Sequence, residues 1–237
     1  MVSGGSVLTE QPARKPAHET RELTLLFEIS RMLDRSVDLR EVVGPVLETL
    51  ARGMNLSRAT LTLFDRGTGE IAIEAAHGLS TRQQARGRYR YGEGVTGRVV
   101  ETGQPIMVPN IFEEPLFLNR TGVHKRNRGG AVSFICVPIL IENNVIGTLG
   151  SDRPYDPDRP LDDDSRLLSI VASLIAQAVR LRHAMQEERR SLIEENTRLR
   201  EELRDRFRPA NIIGNSKAMQ TVYRLISQVS GSAATVL

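Results

Sequence analysis

The sequence predicts an α+β fold: an antiparallel sheet of five or six strands with helices packed on it, followed by one very long helix. Three observations carry that expectation. Residues 131–153 (AVSFICVPILIENNVIGTLGSDR) read as two strands joined by a tight turn. Val132, Phe134, Cys136, Pro138 and Leu140 fall on one side of the first strand, and Ser133, Ile135, Val137, Ile139 and Ile141 on the other. Both sides are mostly apolar, so the strand needs cover on two faces: helices on one, and a second layer or a cavity on the other. Upstream, helical stripes give way to strand alternation. Downstream, the stretch from Leu161 to Arg206 contains neither proline nor glycine and is rich in Leu, Ala, Glu and Arg, as a single helix requires.

In chain order, residues 1–17 are rich in Ser, Gly and Pro and read as a mobile tail. A helix follows from His18, with Leu23, Leu26, Phe27, Ser30 and Leu33 at helical spacing. A second spans 39–54 on the stripe Val42, Val43, Val46, Leu47 and Leu50, or begins at Gly44 because Gly44 and Pro45 sit early in it. Residues 58–65 and 70–77 alternate as a hairpin, and 78–88 reads as a short helix or loop. An extended piece at 89–91 leads through Gly92, Gly94 and Gly97 into a short helix that Gly103 closes. A strand at 105–108 and a long basic connection at 110–130 precede the central hairpin. There Asn143 and Asn144 tolerate the positive φ of a tight turn. Three prolines within 153–160 end the sheet.

The long helix fits a heptad. Leu168, Ile175, Arg182, Arg189, Asn196 and Leu203 occupy position a, and Val171, Ala178, Met185, Leu192, Leu199 and Arg206 position d. Its first half is apolar beyond that seam and is expected to dock on the sheet domain. The second half keeps leucines at d and one asparagine at a, the pattern of a parallel dimer in register. Met185, Leu192, Asn196, Leu199 and Leu203 are the candidate dimer residues; the alternative is a solvated helix laced with i,i+4 charge pairs. After Pro209, residues 211–237 regain globular character, with a helix from Ser216 and the opening of a strand at the end.

Two helices, a hairpin, the segment GEGVTGRVVETGQPIMVPNI, then SFICVPILIENNVIGTLG and a long exit helix resemble a GAF domain over residues 20–183. Ile213-Gly214-Asn-Ser-Lys-Ala-Met219 and Thr235-Val236-Leu237 are similar to the start of the AAA+ domain of bacterial enhancer-binding activators. The order of parts, with the FEISRML opening and the RFRPANIIGNS junction, most resembles the NifA-type regulators of nitrogen fixation genes, which act with sigma-54. The resemblance divides the chain into a tail (1–17), a sensory GAF domain (18–160), a signalling helix (161–207) and the opening of an ATPase (208–237). It implies a homodimer or higher oligomer, a dicarboxylate effector such as 2-oxoglutarate, and a regulatory partner, NifL or a PII-like protein. It also implies that ATP, DNA and the sigma-54 polymerase are met through domains beyond these residues. No GxxxxGK[ST] loop is present to cradle ATP phosphates, so these residues are not expected to be an enzyme.

If the effector is an anion, the basic connections are where guanidinium forks would grip it, and the candidates are Arg90, Arg98, Lys125, Arg126 and Arg128. The alternative for each is an ordinary solvated charge, and Arg98 lies one helical turn from Glu101, its natural salt-bridge partner. The glycines at 92, 94 and 97 follow no parallel βα unit and read as backbone devices, not phosphate binders.

Composition removes other classes. Cys136 is the sole cysteine, excluding an internal disulfide or a cysteine-based metal cluster, and reads as a small buried hydrophobe. His18, His77, His124 and His183 lack close metal-ligand spacing. Asp162, Asp163 and Asp164 open a helix, where capping and the helix dipole explain them without catalysis. A net charge of +3 does not mark a nucleic-acid binder. No uninterrupted apolar run approaches the roughly 18 residues of a membrane span and no secretory leader is evident, so a cytoplasmic location without membrane contact is the expectation.

Overall fold

The computed structural model describes residues 16–35, 39–124, 130–206 and 216–229. Residues 1–15 of the predicted tail lie outside them, as do the junction preceding residue 216 and the closing strand, while residues 16 and 17 already belong to the first helix. Two compact units divide after Arg182.

In the first unit, α1 (Pro16–Asp34) and α2 (Leu39–Met54) lead into β1 (Arg58–Asp65) and β2 (Glu70–His77). Next come α3 (Thr81–Arg86), β3 (Arg88–Arg90), α4 (Gly94–Thr102), β4 (Ile106–Val108), β5 (Val132–Ile141) and β6 (Asn144–Pro154). The six strands form one sheet in the order β3-β2-β1-β6-β5-β4, with each neighbouring pair antiparallel. The helix α5 (Leu161–Arg206) follows and runs past the unit boundary.

The two faces of β5 separate as their alternation predicts. Ile135, Val137 and Ile139 are buried among α1, α2 and α5, together with Leu47, Leu50, Leu168, Val171 and Ile175. Cys136 and Phe134 turn the other way, toward Val95, Val99, Val108 and Ile111. The expected docking of the first half of α5 is therefore realised. Arg182 adds a tie by donating from Nη2 to the Leu33 carbonyl at 2.8 Å.

Two expectations, for the α1 stripe and the hairpin turn, need correction, and for α2 the first of two alternatives holds. The buried stripe of α1 is Leu25, Ile29 and Leu33, whereas Leu23 and Phe27 are exposed. That helix has apolar residues on two sides, and the i,i+4 series from Leu25 is the one facing α2 and the sheet. The helix α2 begins at Leu39 and carries Pro45 inside it, with the proline ring on the exposed side. The hairpin turn uses positive φ at Glu142 (49°) and Asn143 (66°), and Asn144 already belongs to β6, which runs on to Pro154.

Glycine is required where backbones crowd. A Cβ on Gly147 would lie 2.0 Å from the Thr62 carbonyl oxygen, and one on Gly97 would lie 2.3 Å from that of Arg90. Gly92 and Gly94 take φ of 75° and 64°, so the glycine turn serves the backbone.

By averaged hydropathy and length, α5 is the one helix among the described residues apolar enough to cross a membrane. Its apolar stretch is the run that buries Leu167, Leu168, Val171, Ala172, Ile175 and Ala176 in the core, which accounts for the composition within the domain.

The second unit contains the remainder of α5 and α6 (Lys217–Val229). Met185, Leu192, Ile193 and Leu199 are exposed along α5, as is Asn196, while the Leu203 side chain lies outside the described residues. Arg190–Glu194 and Arg198–Glu202 make i,i+4 pairs at 3.0 and 3.6 Å. Ser216 caps α6, its Oγ accepting from the Met219 N–H, and Val222, Leu225 and Ile226 stand exposed on that helix.

Candidate functional site

A cavity lies on the face of the sheet opposite α2 and α5. Its floor is Thr60 and Thr62 of β1, Phe134 and Cys136 of β5, and Thr148, Gly150 and Asp152 of β6. Its walls are Ile73, Tyr89, Val95 and Thr96, and residues 117–124 of the long connection roof it with Phe117 and His124. The roof is fixed by the Val95 N–H donating to the Leu116 carbonyl and by Asn119 Nδ2 donating to the His124 carbonyl. Phe117 packs edge-on against both Phe134 and His124.

The polar groups are arranged unevenly. Thr62 and Thr148 share a hydrogen bond of 2.8 Å between their hydroxyls, at the centre of the β1–β6 pair. Asp152 stands directly across from Arg58 in the same pair. Its Oδ2 is 2.9 Å from Arg58 Nη1 and also 2.9 Å from His124 Nε2. Its Oδ1 is buried and has no hydrogen-bond partner among the described residues. A carboxylate taken out of water with one oxygen doubly engaged and the other idle is incompletely compensated.

Cys136 lines this cavity but is fully buried, and burial pushes its thiol up to about 12 despite the hydroxyls of Thr148 and Thr96. It is neutral at physiological pH and unsuited to nucleophilic chemistry. Tyr89 is likewise pushed up to about 12, chiefly by burial. Among the described residues, no group of three or more His, Cys, Asp and Glu is placed to hold a metal ion.

The cavity volume is about 50 Å³. At roughly 10–15 Å³ for each water position, that is room for a few waters. A larger ligand must displace a side chain or the roof.

The arginines singled out from the sequence stand elsewhere. Arg90 is on β3, in an open surface groove with Arg88, Arg120, Glu70 and Glu93. Arg98 pairs with Glu101 at 2.8 Å on the exposed side of α4. Neither lines the cavity, and Lys125, Arg126 and Arg128 lie outside the described residues. Among the described residues, the basic side chains that do face it are Arg58 and His124. The motifs in the sequence do not single out Asp152 or Arg58, although carrying the strand alternation from Thr148 and Gly150 two residues further places an acid on the cavity face.

The next residue on β6, Arg153, points to the opposite face. Its Nε lies 2.8 Å from Asp164 Oδ2 in the first turn of α5, with both side chains almost wholly buried. Its Nη2 donates to the Arg159 carbonyl at 2.6 Å, while Arg159 reaches Asp164 Oδ1 at 2.6 Å. Asp164, expected as a helix-start acid, is also the anchor that ties α5 to the sheet.

The molecule is thus an antiparallel sheet with a small cavity on one face and its terminal helix bound to the other, not a doubly wound parallel sheet. The profile of the GAF domain matches residues 38–179, and the chain belongs to the GAF domain family. It is 47% identical over 219 residues to the nitrogen fixation protein VnfA of Azotobacter vinelandii, covering 92% of this chain and 42% of that protein. It is 41% identical to AnfA of the same organism over 215 residues (91% and 40%) and 39% identical to the Nif-specific regulatory protein of Herbaspirillum seropedicae over 217 (91% and 40%). The chain thus spans about two-fifths of the length of these relatives and is similar to the GAF-containing part of Nif-type regulatory proteins. The fold is shared with the A. aeolicus nlh2 GAF domain in an inactive state, at TM-score 0.61 and 20% identity over 70% of this chain and 99% of that one. It is shared equally with the GAF domain of a phosphoenolpyruvate-protein phosphotransferase from Coxiella burnetii, at TM-score 0.59 and 20% identity over 71% and 98%.

Proposed function

We propose that this chain is the signal-receiving region of a cytoplasmic, NifA-type transcriptional activator of nitrogen fixation genes. A signal at the GAF domain biases the way α5 leaves it, and so controls a AAA+ ATPase that works with sigma-54 polymerase on DNA. The observation that carries the reading is the one-residue step on β6. Asp152 faces the cavity, and Arg153 beside it holds the first turn of α5.

The input is a small effector in the cavity or a regulatory protein of the NifL or PII type. The family resemblance puts 2-oxoglutarate forward, but Arg58 and His124, the basic side chains facing the cavity, are already bonded to Asp152, so that compound serves best as a comparison ligand. A second reading rests on the small cavity volume: a GAF domain used only for protein docking would keep its interior nearly closed.

The output requires paired copies of α5 meeting through Met185, Leu192, Asn196, Leu199 and Leu203. Cysteine introduced at Asn196 should cross-link two full-length chains and change the responsiveness of the ATPase to its signal. The native Cys136 is buried and should not interfere. Failure to cross-link, or cross-linking with unaltered control, would remove the dimeric helix from the mechanism.

A further inference from the structure

Resting on the small-effector reading above, we infer that the cavity selects ligands that present an N–H donor, a protonated amine or an amide, to Asp152. Apart from Ser151 Oγ and Asp152 Oδ1, the fully buried side-chain oxygens around the cavity have partners. By strand alternation Ser151 belongs with Leu149 and Arg153 on the helical face. Thr62 and Thr148 satisfy each other, and Thr60 Oγ1 donates to the Gly150 carbonyl. Among the described residues, Asp152 Oδ1 is the oxygen on the cavity face left without a donor, on a residue only 4% exposed.

Arg58 and His124 both hold Oδ2, so they fix the carboxylate while leaving its second oxygen idle. An acceptor-only group placed here meets a carboxylate whose neighbouring donors, Arg58 and His124, are already engaged, and is repelled. A donor completes the unmet hydrogen bond and gains in charge if it is an ammonium. The apolar walls, Phe117, Phe134, Ile73 and Val95, fit the short carbon skeleton that such a ligand would carry. The small cavity favours compounds of few heavy atoms.

The test uses matched compounds that differ only in the group of interest: L-alanine against pyruvate, and L-glutamate against 2-oxoglutarate. Calorimetry on the full chain should show the amino member of at least one pair binding tenfold or more tightly than its keto counterpart. Asp152→Asn should weaken that binding at least tenfold, with a melting curve confirming that the variant is folded. Keto acids binding as well as amino acids, in the wild-type chain alone, would overturn the donor preference while leaving the small-effector reading intact. Unchanged affinity in a folded Asp152→Asn variant would remove Asp152 as the receiving group. Silence from all four compounds at millimolar concentration would overturn both the inference and the small-effector reading, leaving protein docking.

Discussion

Replacing Asp164 by alanine is expected to destabilise the GAF unit by about 3–5 kcal/mol, the cost of breaking a buried ion pair from one side. Asp164 Oδ2 forms an ion pair with Arg153, 2.8 Å from its Nε, and Oδ1 accepts from Arg159 Nη2 at 2.6 Å. Arg153 is 3% exposed and sits at the end of a central strand, so it cannot turn to solvent when its partner is removed. The loss falls on a buried guanidinium left with only the carbonyls of Pro154 and Arg159. Urea unfolding followed by far-ultraviolet dichroism reads the effect as a lower midpoint. A change below about 1 kcal/mol, the size of an exposed salt bridge, would show that Arg153 does not depend on this carboxylate.

The second large effect is steric. Valine at Gly147 should destabilise the same unit by about 3 kcal/mol, because a Cβ there has no space and the obstructing atom is backbone. The nearest atom would be the Thr62 carbonyl oxygen at 2.0 Å, in the strand paired with β6. Relief requires β1 and β6 to separate where Thr62 and Thr148 hydrogen-bond. The same unfolding experiment measures it. Valine at Gly44, where a Cβ would meet no atom within 4 Å and valine has the better helix propensity, is the control and should change stability by less than about 1 kcal/mol.

The fold was legible because its signals are local and periodic. Two-sided hydrophobicity in β5 required layers on both faces, and an unbroken helical composition set the limits of α5. The stripe Val42, Val43, Val46, Leu47 and Leu50 identified the inner face of α2. In α1 local periodicity was ambiguous, since Leu23 and Phe27 share the spacing of a buried stripe, and only packing against α2 selects Leu25, Ile29 and Leu33.

The site was less legible for a physical reason. Clusters of arginine are conspicuous in a sequence, but long cationic side chains favour the surface, where Arg98 finds Glu101 and Arg88 finds Glu70. The groups that shape the cavity are single residues far apart in the chain, Arg58, His124 and Asp152, brought together by strand register and by a loop that folds over the sheet. Nothing in their spacing announces them. The useful sign was a charged pair, Asp152 and Arg153, inside a strand otherwise built of apolar and small residues.

Hydrogen exchange in the full chain, comparing wild type with Asp152→Asn, tests most directly whether the cavity communicates with the helix. The change is confined to the cavity face of β6 and touches neither Arg153 nor Asp164. If that face and α5 are coupled through β6, amides in the first turns of α5, from Leu161 onward, should exchange faster while those of α2 keep their wild-type rates. Unaltered protection in α5, or equal acceleration in α2 and α5, would contradict a specific path from cavity to helix.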